Sequence, residues 1–287
     1  MTHRSILAMA QLTHPSTSNA GSFTMLGAIA GDIVGSVFEG NPTKNVGFAP
    51  LFHPQCAATD DTILTVATAH ALLTDGDYAS AYRSWGKRFP DAGYGASFCR
   101  WLGDDGAPGY GSWGNGSAMR SSPVGWAFDS REEVLEEARR SAIVTHGHTE
   151  GVKGAQATAL AVYLARTLGV TKQDIKEDIE CTFGYDLSRK VDDIRPDYNF
   201  DVSCQGSVPE SIICFLESDS VESAIRLAVS LGGDADTQAC IAGGIAEAYY
   251  GPLDDRMATE VRQRLPPDVF ETVDQFVQRF LSKNDNI

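Results

Sequence analysis

Apolar residues recur at helical spacing along almost the whole chain from Leu26 onward, and alternating strand patterns are nearly absent. With no sheet to cover, the apolar stripes have only one another to bury against, which restricts the fold to helix packed on helix. The clearest segment opens at Thr59-Asp60-Asp61, carries Ile63, Leu64, Ala67, Leu72 and Leu73 near helical spacing, and stops at Asp75-Gly76. Further helices are expected near 26–38, 78–89, 95–102, 131–144, 150–168, 171–183, 207–217, 220–231, 236–250 and 268–282. A chain of 287 residues with 43% hydrophobic composition can enclose a large core. The expected fold class is all-α, with one compact multi-helix domain over residues 25–287. Residues 1–24 read as a disordered N-terminal extension, with Met25 as an alternative start. The apolar patch from Ile6 to Ala10 is shorter than the ~7 to 15 residues of a secretory core.

Glycines sit inside these helical segments although each costs ~1 kcal/mol relative to alanine. Gly27, Gly31 and Gly35 recur every fourth residue on one face, and Ala239, Gly243 and Gly244 line another, which predicts close approach of helix backbones. Two stretches break the helical pattern: Gly103–Ser117, with six glycines, and Tyr185–Gln205, which is polar and contains Pro196. Compact domains seldom carry such loops without a functional reason.

Acidic residues number 38 against 23 basic ones, a net charge of −15, and no block of Lys and Arg stands against that field. Binding to nucleic acid or to anionic membranes through charge is therefore disfavoured. No apolar run approaches the ~18 residues of a membrane span. The six cysteines are scattered with no C-x-x-C pair, which suits buried thiols in a reducing, cytoplasmic setting and indicates neither a disulfide framework nor a zinc site.

Two acidic stations stand out. Thr59-Asp60-Asp61-Thr62 places adjacent carboxylates at a helix start, where capping alone would explain them. Gly232-Gly233-Asp234-Ala235-Asp236-Thr237 repeats the pattern ahead of an Ala/Gly-rich helix. If both helix starts meet, four carboxylates converge with threonine hydroxyls. Such a cluster repels itself unless divalent cations neutralise it, and all-oxygen donors select hard ions such as Mg²⁺, Mn²⁺ or Ca²⁺. Rival motifs fit less well. A helix-loop-helix calcium loop needs further acids and a glycine where Thr237 and Gln238 stand, and the prenyl synthase pattern needs an aspartate at Leu64. The D-x-D motif of nucleotide-sugar transferases matches Asp234 and Asp236 but belongs on α/β folds.

Gly111-Ser112-Trp113-Gly114-Asn115-Gly116-Ser117-Ala118-Met119-Arg120 runs from a glycine-rich loop into a helix, an arrangement that can cradle phosphate, with Trp113 or Tyr110 available to stack on a base. It lacks G-x-x-x-x-G-K-[ST] and is no P-loop; a flexible surface loop is the plainer reading. Thr145-His146-Gly147-His148 is a weak zinc pattern and better suits a hydrogen-bonding histidine at a helix boundary.

Together and in this order, these segments resemble the ADP-ribosylglycohydrolase family, which includes the enzyme that reactivates ADP-ribosylated dinitrogenase reductase. The matching pieces are Gly27-Ala-Ile-Ala-Gly-Asp32-Ile-Val-Gly35 with Glu39, Thr59-Asp-Asp-Thr62, Gly114 to Arg120, Thr145-His146, and Gly233 to Thr237. The resemblance implies an all-α domain with a central two-metal site holding two Mg²⁺, with Mn²⁺ as an alternative. It implies metal ligation by Thr59, Asp60, Asp61, Asp234, Asp236 and Thr237, and catalysis by Glu39 at the reacting ribose. Gly111, Ser112, Trp113, Gly114, Asn115, Gly116, Ser117 and Met119 would hold diphosphate and adenosine, and His146 would contact substrate.

The activity so implied is magnesium-dependent hydrolysis of the bond between ADP-ribose and an acceptor, the partner being an ADP-ribosylated protein or a small ADP-ribose conjugate. Glu39 would assist proton transfer as an oxocarbenium-like centre develops at the anomeric carbon. Protein arginine is the leading acceptor. Serine-linked, nucleobase-linked and O-acetyl-ADP-ribose conjugates remain as alternatives, as do an inactive ADP-ribose-binding relative and another helical, magnesium-dependent enzyme acting on diphosphates. The 183–205 segment looks like an elaboration at the pocket mouth, where the acceptor would be chosen.

Overall fold

The computed structural model describes residues 24–282. The first half holds α1 (Leu26–Glu39), α2 (Asp60–Leu73), α3 (Tyr78–Arg88), α4 (Ala96–Gly103), the short α5 (Gly116–Met119) and α6 (Ser122–Ala127), then α7 (Arg131–Ile143) and α8 (Thr149–Arg166). The second half holds α9 (Lys172–Phe183), the single turn α10 (Val191–Ile194), α11 (Cys204–Glu217), α12 (Val221–Val229), α13 (Ala235–Tyr250), α14 (Asp255–Arg264) and α15 (Pro267–Phe276). A π-helical turn, Val277–Leu281, follows α15. Among the described residues the sole β feature is an isolated antiparallel bridge between Gly114 and Ser203. The fold is all-α, as the periodicity requires. Residues 1–23 of the expected extension lie outside the described residues.

Eight of the fifteen α-helices among the described residues begin on a side-chain cap written in the sequence: Thr59, Asp77, Ser130, His148, Thr171, Ser203, Ser220 and Asp254 each accept from an amide of the first turn. Helix α14 escapes the sequence reading because Asp255–Arg264 turns only Met257, Ala258 and Val261 into the interior, too few apolar positions to show a period.

The centre of the domain is the antiparallel pair α1 and α13. Every side of α13 is enclosed as far as Ala248. The pair is joined by the glycines: a Cβ on Gly27 would lie 2.4 Å from the Gly243 carbonyl oxygen, one on Gly31 1.9 Å from that of Ala239, and one on Gly35 2.5 Å from that of Ala235. As the first number rises the second falls, so the C-terminal end of α1 meets the N-terminal end of α13. That crossing carries Glu39 toward Asp234 and Asp236.

Two buried carboxylates then fix neighbouring helix starts from a distance. Glu247 on α13 accepts from the Thr24 amide at 3.0 Å, the Thr24 hydroxyl at 2.7 Å and the Gly27 amide at 2.5 Å, capping α1. Thr24 therefore packs with the helical domain. Asp32, fully buried on α1, does the same for α2.

Candidate active site

A cavity of about 360 Å³ opens where the N-termini of α2 and α13 meet the end of α1, the Gly93–Phe98 segment and the glycine-rich loop before α5. The two acidic stations form one wall. Thr237 Oγ1 donates to Asp61 Oδ1 at 3.3 Å across a separation of 176 positions. Carboxylate oxygens of Glu39, Asp234 and Asp236 lie within 4.8 Å of one another. Asp61, Asp234 and Asp236 are buried and Glu39 is exposed at the rim.

The first station owes its place to Asp32. Its Oδ2 accepts the Thr59 amide at 2.9 Å, the Thr62 amide at 3.1 Å and the Thr62 hydroxyl, while Oδ1 accepts the Thr59 hydroxyl at 2.6 Å. Four donors on a buried carboxylate hold the first turn of α2 against α1. Asp32→Ala would strand these donors, each unmet buried group costing about 1–3 kcal/mol. The expected result is a fall in melting temperature together with loss of turnover, read by thermal melts and activity assays; a wild-type melting curve would show that α2 is seated by other contacts.

The carboxylates raise one another's pKa. Burial, then Asp32 and Asp234, push Asp60 up to about 7. Burial and Asp236 lift Asp61 well above the usual carboxylate range, and burial and Asp234 do the same to Asp236. Glu39 is raised by burial, then by Asp234 and Asp32. Asp61 Oδ2 is buried without any hydrogen-bond partner. An orphaned buried carboxylate oxygen amid mutually repelling acids is a strong fit to a bound cation, and an all-oxygen donor set suits a hard one.

Opposite this wall, the glycine-rich loop is tied at both flanks. The Ser112 amide donates to the Thr145 carbonyl at 3.0 Å, the Asn115 amide to that of Val202 at 2.8 Å, and the Cys204 amide to that of Trp113 at 3.0 Å. The 183–205 segment thus clamps the loop and adds Val202 to the cavity wall. Asn115 Nδ2 also donates to Asp234 Oδ2 at 2.8 Å, joining loop to station.

Of the residues singled out in the sequence, Glu39, Asp60, Asp61, Asp234, Asp236, Thr237, Ser112, Gly114, Asn115, Gly116, Met119 and His146 all line this cavity. Four do not. Thr59 turns its hydroxyl to Asp32. Ser117 is buried and donates to the Gly151 carbonyl at 2.7 Å. Trp113 is 48% exposed outside the wall. Gly111, at φ +63°, serves the turn of the loop.

The sequence matches the family described as ADP-ribosylglycohydrolase over residues 21–286. The chain belongs to the ADP-ribosylglycohydrolase family. It is 28% identical to ADP-ribosylhydrolase ARH3 of Mus musculus over 307 residues, covering 79% of this chain and 82% of the relative. The Homo sapiens ADP-ribosylhydrolase ARH3 is likewise 28% identical over 308 residues, covering 79% and 84%. A solved structure titled "ADP-ribosylglycohydrolase-related protein complex" superposes with a TM-score of 0.69 at 27% identity, covering 90% of this chain and 97% of that one. This ADP-ribosylglycohydrolase is therefore a glycosyl hydrolase acting on ADP-ribose conjugates, of a metal-dependent family. Among its described residues no helix is long and apolar enough to cross a membrane.

Within this ADP-ribosylglycohydrolase, sequence reasoning missed several wall residues. Gly93, Gly95, Ala96, Ser97 and Phe98 bring the start of α4 to the cavity. Gly93 at φ +103° passes over Asp60, where a Cβ would come 3.5 Å from Oδ1, so the Gly-Tyr-Gly spacing was the available signal. Arg120 also lines the cavity, although the sequence reading used it only as the end of a motif.

Proposed function

We propose that this ADP-ribosylglycohydrolase removes ADP-ribose from protein arginine with two Mg²⁺ ions bound at the joined acidic stations. The convergence of Asp60, Asp61, Asp234, Asp236 and Glu39 on one cavity carries the reading. Asp60, Asp61, Asp234, Asp236 and Thr237 would hold the ions, with Thr59 steadying the first station from behind. When bound, the ions offset the carboxylates' repulsion, hold ribose hydroxyls and polarise water.

The remaining chemistry falls to the chain. Glu39 sits at the rim beside Asp234 and Asp236, and its raised pKa suits a group that takes a proton from water and gives one up again. The Ser112 hydroxyl, which accepts from the Gly114 amide at 3.0 Å, keeps its proton for an oxygen of the diphosphate. An arginine leaving group suits the acidic rim, because its guanidinium is drawn to the same field that repels phosphate. Mn²⁺ can replace Mg²⁺ in an oxygen donor set of this kind.

Chelation should abolish turnover, and Mg²⁺ or Mn²⁺ should restore it. Titrating Mg²⁺ into chelated protein should also raise the melting temperature by roughly 5 °C at 100 times Kd, since ~2.7 kcal/mol of linkage acts on a chain of this size. Turnover and melting unmoved by either step would remove the metals from the reading. A panel of arginine-, serine- and nucleobase-linked ADP-ribose with O-acetyl-ADP-ribose fixes the acceptor; release from a conjugate other than arginine would replace arginine.

A further inference from the structure

Arg120 is completely buried, yet among the described residues its hydrogen bonds go to no carboxylate. A buried unpaired cation is costly, so its surroundings must account for it. Its guanidinium lies 4.1 Å from the centre of the Tyr82 ring. One terminal nitrogen donates to the Ser141 carbonyl at 3.3 Å and to Thr145 Oγ1 at 2.9 Å, and its other nitrogens have no partner. Thr145 Oγ1 in turn lies 2.8 Å from His146 Nδ1. The opposite ring nitrogen, Nε2, abuts the glycine-rich loop: a Cβ on Gly116 would lie 3.1 Å from it and one on Gly114 3.7 Å.

We propose that Arg120 and Thr145 are positioning residues that hold His146 as the Nε2–H tautomer, presenting that N–H to an oxygen of the bound ligand. This rests on the reading of the cavity as the ADP-ribose site. Thr145 Oγ1 accepts from Arg120, which leaves its single proton for His146 Nδ1. The Tyr110 hydroxyl also bonds Thr145, and with the single Thr145 proton on His146 Nδ1 it is Tyr110 that must donate. Arg120 lies on the Nδ1 side of the ring, so its charge favours a lone pair there and the N–H dipole pointing away, toward the cavity. Burial, then Arg120, lowers the His146 pKa well below its usual value, which keeps the ring neutral. The chain from Arg120 to Nε2 thus converts a buried charge into one oriented neutral donor.

A long-range ¹H–¹⁵N NMR spectrum of the full chain, with His146 assigned by comparison with His146→Asn, reads the tautomer without substrate. Nδ1 unprotonated and Nε2 protonated is the expected result. Thr145→Val should mix the tautomers and weaken ADP-ribose binding about tenfold, while Thr145→Ser should restore both. Protonated Nδ1 in the wild type would overturn the proposal, and so would a Thr145→Val protein unchanged in both spectrum and affinity. A wild type with the expected spectrum but no ADP-ribose affinity would instead overturn the reading of the cavity and leave the tautomer assignment intact.

Discussion

Glu39→Gln should lower hydrolysis by roughly 10²- to 10⁴-fold while ADP-ribose affinity changes little, because glutamine keeps the shape and loses the proton transfer. The geometry gives this experiment a second edge. Glu39 approaches Asp234 and Asp236 within 4.8 Å, close enough to join them around a cation. A metal ligand and a proton carrier behave differently when neutralised. Asp236→Asn should weaken both ADP-ribose binding and turnover, since it disturbs the group that fixes the ribose. If Glu39→Gln instead copies Asp236→Asn, with affinity and turnover falling together, Glu39 acts as a ligand. Near-normal turnover would remove it from the reaction. Calorimetry with ADP-ribose and Mg²⁺, beside turnover on the conjugate chosen by the panel, separates the three outcomes.

Which parts were legible in the sequence follows from how local each signal is. The stations Thr59-Asp60-Asp61 and Asp234-Ala235-Asp236 are contiguous, so their composition and helix-start position could be read directly, and Gly27, Gly31 and Gly35 announced a close helix contact. Their partners could not be read. That Gly31 meets Ala239, or that Asp32 caps a helix 27 positions away, depends on the crossing of α1 with its neighbours. Asp32 looked like one more residue of a glycine motif because a carboxylate's donors lie elsewhere in the chain. Arg120 was hidden for the same reason, its partners Ser141 and Thr145 arriving from the end of α7 and the turn after it. Trp113 shows the reverse limit: an aromatic in a binding loop invites stacking, while the tie between its carbonyl and the Cys204 amide, which leaves the ring half-exposed at the surface, could not be read from the sequence.

Gly31→Ala tests the contact on which the whole site depends. The added methyl would sit 1.9 Å from the Ala239 carbonyl oxygen and 2.2 Å from its carbon, both backbone atoms of a fully enclosed helix. No rotamer change relieves such a clash, so the helices must separate, and the loss should reach about 3 kcal/mol, the upper end for overpacking. For a chain of this length that is roughly a 5 °C fall in melting temperature. Helix propensity acts the other way, alanine being ~1 kcal/mol better than glycine inside a helix, so a net fall isolates the packing effect. Gly40→Ala is the control, placed just past the same helix with nothing within 4 Å of its would-be Cβ and expected to shift stability by no more than about 0.5 kcal/mol. Turnover should fall with Gly31→Ala beyond what unfolding removes, because pushing α1 from α13 also draws Glu39 from Asp234 and Asp236. A Gly31→Ala protein that melts and turns over like Gly40→Ala would mean that the approach of these backbones does not set the distance between Glu39 and the second acidic station.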